Sequence, residues 1–131
     1  MADKIARVLS EEGIECIRVL NVSKVHVSYL INEIWRFSGA ILGSCTYNMG
    51  LFPPMDTLVR ALESRLMHNR LLGIFGSYSW SGGGVKALTE FGERSKWTLV
   101  PPVVEFQYSP KQDDMDQCTL LAQNMARQLK T

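Results

Sequence analysis

Little in this 131-residue sequence suits it to nucleic acid, to a bilayer or to a disulfide framework. Its 14 basic and 13 acidic residues leave a net charge of +1 and are spread along the chain. There is no basic stripe of the kind a phosphate backbone requires. Three cysteines, Cys16, Cys45 and Cys118, make an odd set with no CxxC spacing. That argues against a disulfide framework or a zinc site and fits a reducing compartment, so the cytoplasm is expected. Cys16 and Cys118 read as small buried hydrophobes. No apolar stretch approaches the roughly 20 residues that span a bilayer, and the N-terminus carries no signal-peptide core. His26 and His68 stand alone, without a histidine or carboxylate at ligand spacing, and read as surface or capping residues. Glu11, Glu12, Asp113 and Asp114 fall at expected helix ends. No Ser/His/Asp or Cys/His arrangement can be assembled.

What is present is an alternation of helical and strand patterns. Hydrophobic residues make up 46% of the chain and charged residues 21%, an ordinary balance for a globular domain with a real core. Residues 2–12 carry Ile5, Val8 and Leu9 on one helical face, with Gly13 at the C′ position. Residues 14–20 are β-branched and partly alternating, which predicts a strand. Ser23 is placed to cap a helix in which Leu30, Ile31, Ile34 and Trp35 recur at helical spacing. Residues 40–43 form a short, wholly apolar run, as expected of a strand covered on both faces.

Pro53 and Pro54 open a third helix striped by Met55, Leu58, Val59, Leu62 and Leu66. A buried strand is expected at 71–76 and a helix at 85–94. Thr98 to Tyr108 bends at Pro101 and Pro102, and its prolines push that strand to a sheet edge. The last helix begins at Asp113 and Asp114, ends with Arg127 and Lys130, and buries Met115, Cys118, Ala122, Met125 and Leu129. The order predicts βαβ units, a parallel sheet and helices on both faces.

Two of the apolar runs break into polar, aromatic turns. Gly43 is followed by Ser44, Cys45, Thr46, Tyr47 and Asn48, and Phe75 by Gly76, Ser77, Tyr78, Ser79, Trp80, Ser81 and Gly82. In an open α/β sheet, ligands lie beyond the carboxyl ends of the strands. Two such turns suggest two walls of one site for a flat, partly polar, aromatic ligand. Residues 81–84 precede a helix but lack the lysine and hydroxyl of a phosphate loop.

The run G-S-C-T-Y-N-M-G-L-F-P-P at 43–54 resembles the G-S-P-T-Y-N-x-x-x-F-P-P segment in the flavodoxin-like domain of flavodiiron proteins. The run F-G-S-Y-S-W-S-G-G-G-V-K at 75–86 resembles that family's F-G-S-Y-G-W-S-G-G-A-V-K. The resemblance extends over nearly the whole chain. It implies a flavodoxin-like α/β three-layer sandwich, with a parallel sheet. It also implies FMN held at its ring by Ser44, Cys45, Thr46, Tyr47, Asn48, Gly76, Ser77, Tyr78, Ser79, Trp80, Ser81 and Gly82. Tyr47, Tyr78 and Trp80 would lie against the ring. The function implied is FMN-dependent electron transfer, with a redox partner protein or diiron-type domain as the other party.

Three departures modify that expectation. Cys45 stands where the family carries proline and Ser79 where it carries glycine, so two fixed or permissive backbone positions are lost. The family's first central strand and its phosphate-holding loop have no counterpart here, because residues 1–6 correspond to the middle of the helix that follows them. The domain over 1–131 is therefore expected to be N-terminally truncated, with exposed strand edges that favour a homo-oligomer. No H-x-E-x-D-H diiron signature occurs, so the chain alone is not expected to reduce oxygen or nitric oxide. The alternative expectation is a flavin-free remnant or interaction module without redox activity.

Overall fold

A computed structural model describes residues 2–47, 50–65, 70–78 and 83–130. Helix α1 covers Ala2–Glu11 and buries Ile5, Val8 and Leu9, as its spacing predicts. It closes through Gly13, whose φ of 92° lies in the left-handed region that glycine enters without steric cost. The expected strand at 14–20 does not form. The segment is unpaired, and Cys16 is exposed rather than buried. β propensity alone makes no strand when no neighbouring backbone offers a ladder.

Helix α2 spans Val27–Arg36. Its cap is His26, not Ser23: the imidazole Nδ1 accepts from the Ser28 amide at 3.2 Å. Leu30, Ile31 and Glu33 are buried, whereas Trp35 points outward with 64% of its surface exposed. Strand β1, Gly39–Tyr47, runs on through the polar residues. The short β2, Gly50–Leu51, folds back on it antiparallel. Helix α3, Pro53–Ser64, starts on its two prolines and buries Met55, Leu58, Val59 and Leu62. Leu66 and His68 lie outside the described residues.

Strand β3, Leu71–Tyr78, is the centre of the sheet and pairs in parallel with β1. Helix α4 covers Gly84–Arg94. The expected edge strand is split into β4, Thr98–Leu99, and β5, Val104–Gln107, which pair in parallel with the start and the end of β3 respectively. The break falls at Pro101 and Pro102, which are joined by a cis peptide and have no amide hydrogen to give a ladder. Helix α5, Gln112–Leu129, completes the chain.

Side-chain alternation divides these elements into three layers. Leu42, Leu72 and Ile74 face α2, α3 and α4, with Phe91 and Trp97 packed edge to face at 5.1 Å. Ile41, Leu71 and Phe75 face α1 and α5, where Cys118, Leu121 and Ala122 are fully buried. The result is an α/β three-layer sandwich. Among the described residues no helix is long and apolar enough to cross a membrane.

Candidate functional site

The parallel register of β1 and β3 sets Ser44 beside Gly76 and Cys45 beside Ser77. The two turns expected to form one site therefore leave the sheet side by side, about one strand spacing (~4.8 Å) apart. β5 adds a third member, with Gln107 opposite Tyr78 and the Tyr108 amide donating to the Tyr78 carbonyl at 2.8 Å.

Close packing of backbone defines this corner. A Cβ at Gly76 would lie 2.6 Å from the Ser44 carbonyl oxygen and 2.7 Å from Val85 Cγ2, so only glycine lets β1, β3 and the start of α4 meet there. The ring of Phe75 lies across Gly43 where a side chain would project.

The hydroxyl of Ser44 is engaged locally. It donates to the Cys45 carbonyl at 2.8 Å and accepts from the Phe52 amide at 3.3 Å, tying β1 to the residue that precedes α3. Pairing of Thr46 with Leu51 and of Tyr47 with Gly50 makes the first turn a hairpin. Cys45 is exposed, Ser77 and Tyr78 are half-buried, and Gly76 is buried. Asn48, Ser79, Trp80, Ser81 and Gly82 lie outside the described residues.

Tyr108 was not anticipated from the sequence. It is 63% exposed at the carboxyl end of β5 and holds a φ of 64°. A bulky residue in the left-handed region costs energy and is a recognised mark of functional or turn positions. Only the strand boundary at Gln107 hints at it, since nothing in the residue type predicts a left-handed conformation.

A second feature lies along the other edge of β1. A cavity of about 750 Å³ separates β1 from residues 14–22, walled by α1 and α5 on one face and α2 and α3 on the other. Glu33 lines it with only 6% of its surface exposed. One carboxylate oxygen accepts from Arg36 at 3.0 Å. The other, Oε2, lies 3.8 Å from Arg18 Nε and has no hydrogen bond. Among the described residues no cluster of three metal-ligating side chains occurs.

No family model matches the chain. It is 30% identical over 132 residues to the rubredoxin-oxygen oxidoreductase of Megalodesulfovibrio gigas, a match covering 98% of this chain and 33% of that protein. It is 26% identical over 129 residues to the anaerobic nitric oxide reductase flavorubredoxin of Escherichia coli, covering 98% of this chain and 27% of that protein. The chain thus spans about a third or less of the curated relatives it matches.

The solved structure of the Desulfovibrio gigas rubredoxin:oxygen oxidoreductase superposes with a TM-score of 0.89 at 29% identity, over 98% of this chain and 33% of that one. The flavodiiron core of a Synechocystis protein gives 0.88 at 21% identity, over 97% and 31%. An archaeal flavodoxin gives 0.84 at 21% identity over 98% of this chain and 87% of its own, a likeness of fold alone. The chain is a flavodoxin-like domain related to that of the flavodiiron proteins.

Proposed function

We propose that this chain is an electron-transfer module that holds the ring of FMN between the turns at the carboxyl ends of β1 and β3. The single observation that supports this is the register of Ser44 with Gly76 and Cys45 with Ser77. It makes the two ring-binding motifs neighbours, and a flat ring needs two such walls. The bound flavin would supply one- and two-electron redox chemistry.

The chain's own groups would orient the ring and tune it. The buried Gly76 brings main chain to the pocket without a side chain in the way. Half-buried Tyr78 and exposed Tyr108 offer aromatic surface at the same end of the sheet. Ser44, Cys45, Thr46, Tyr47, Asn48, Ser77, Ser79, Trp80, Ser81 and Gly82 complete the proposed set. A redox partner protein or diiron-type domain would be the other party to transfer.

The ring end of FMN fits these residues, but the phosphate end has no comparable anchor among the described residues. The proposed contacts all address the ring, which riboflavin carries without the phosphate. Titration of the 131-residue chain with FMN and with riboflavin, followed by quenching of flavin fluorescence, tests this. The expected result is saturable quenching by both with similar affinity. An anchored phosphate would instead favour FMN by roughly tenfold or more through charge-assisted bonds. Absence of quenching by either flavin overturns the proposal and leaves the reading of a flavin-free interaction module.

A further inference from the structure

The hairpin at the end of β1 is closed by a side chain. β2 has only two residues, and its pairing with β1 stops at Thr46 and Leu51. Continued by one residue, that antiparallel register sets Phe52 opposite Cys45. The Phe52 amide and the Cys45 carbonyl are then the next groups the ladder could join. They are joined through the Ser44 hydroxyl instead, which accepts from the amide at 3.3 Å and donates to the carbonyl at 2.8 Å.

Chemistry fixes the direction of both bonds. A carbonyl oxygen only accepts and an amide N–H only donates, so the single hydroxyl proton is committed to Cys45. One lone pair receives Phe52. Ser44 therefore has no side-chain proton left for a carbonyl or ring nitrogen of a ligand.

The inserted hydroxyl falls where the chain changes element. The Phe52 carbonyl accepts from the Met55 and Asp56 amides at 2.9 and 3.0 Å, which opens α3. Phe52 must leave the ladder to start that helix, and the hydroxyl spans the gap so that its N–H stays bonded. On the other flank, Ser44 is in register with the buried Gly76, where β1 and β3 meet main chain to main chain. One residue thus links β3, the β1–β2 hairpin and the start of α3.

We propose that Ser44 is a positioning residue for the flavin ring. Its hydroxyl makes no bond to the flavin; it holds the hairpin 44–52 against the start of α3, and so sets the distance between the two walls. A wall fixed in this way is pre-organised, and loosening it weakens binding without removing a contact. The inference rests on the proposed flavin site.

The test compares the unsubstituted chain with Ser44→Ala, which removes the hydroxyl, and Ser44→Thr, which keeps it. Thr57→Ala is the control, since it deletes the hydroxyl that donates to the Pro53 carbonyl at 3.1 Å inside α3 and leaves the hairpin alone. Hydrogen exchange of the Phe52 amide in the flavin-free chain should quicken about fivefold in Ser44→Ala, as expected for one lost hydrogen bond. Riboflavin should bind this variant about fivefold more weakly, and the visible circular dichroism of the bound ring should change at saturation. Ser44→Thr and Thr57→Ala should match the unsubstituted chain in all three measurements.

Weaker riboflavin binding with unchanged Phe52 exchange overturns the proposal, because the hydroxyl would then touch the flavin directly. Faster Phe52 exchange with unchanged affinity and dichroism overturns it as well, and leaves Ser44 a purely structural residue. So does a threonine variant as impaired as the alanine variant. If the unsubstituted chain binds no riboflavin, the flavin site itself fails and this inference fails with it; binding to that chain with indifferent variants sinks the inference alone.

Discussion

The Cβ position of Gly76 lies 2.6 Å from the carbonyl oxygen of Ser44, a main-chain atom that cannot step aside. Gly76→Ala should therefore push β1 from β3 at the carboxyl end of the sheet and collide with Val85, at a cost of about 1–3 kcal/mol, typical of an overpacked core. Gly39→Ala is the control. Its Cβ would meet the Met125 sulfur at 3.2 Å, the flexible part of a side chain, so the strain is smaller. Urea unfolding of both variants gives the comparison, and an equal loss would refute the backbone account.

Glu33 is the one buried carboxylate among the described residues, and it is held by two partly exposed arginines. Replacing Arg18 and Arg36 together with methionine leaves an uncompensated buried charge, and we expect a loss of roughly 3 kcal/mol. Adding Glu33→Met to that pair should restore most of it, because the charge that caused the penalty is gone. A triple variant no more stable than the double would show that the arginines act through packing of their stems instead.

The parts of the fold that were legible in the sequence share one property: their signal comes from local spacing. Ile5, Val8 and Leu9 mark α1, and Met55, Leu58, Val59 and Leu62 mark α3, because helical periodicity needs no distant partner. The placement of 98–108 at an edge followed from the missing amides of Pro101 and Pro102.

What sequence spacing could not supply was partnership. Residues 14–20 have strand composition but no ladder to join, and Cys16 consequently stays exposed. Trp35 falls at helical spacing with Leu30 and Ile31 yet lies outside the buried stripe, where Glu33 takes a place instead. At the site, the adjacency of Ser44 and Gly76 is a consequence of sheet register, and register is visible only once β1 and β3 are paired.

Cysteine reactivity distinguishes surface from core. Cys16 and Cys45 are exposed and Cys118 is fully buried, so a thiol reagent should modify two cysteines per native chain and the third only on unfolding. Burial also pushes the Cys118 thiol above its ordinary value. The unfolded chain therefore releases that proton first. The stabilising contribution is complete below the ordinary thiol pKa of about 8.5 and is lost as pH rises beyond it. Relative to Cys118→Ala, the unsubstituted chain should lose stability between neutral and alkaline pH, as read by denaturation midpoints. A difference that does not change with pH would remove Cys118 from the account.

Tyr108 lies at the same end of the sheet as the proposed flavin site, its amide bonded to the Tyr78 carbonyl. Its φ of 64° penalises any side chain, and the residue is 63% exposed, so the fold gains little packing in return. Tyr108→Gly should exceed Tyr108→Ala in stability by about 1 kcal/mol, since both lose the ring and only glycine relieves the backbone. Both keep the amide that donates to the Tyr78 carbonyl, so the end of β5 stays paired. If the strained tyrosine is held there to cover a flavin ring, both variants should bind riboflavin several-fold more weakly than the unsubstituted chain, by loss of one aromatic contact. A glycine variant that is more stable than the alanine variant and binds flavin as well as the unsubstituted chain would confine Tyr108 to the turn.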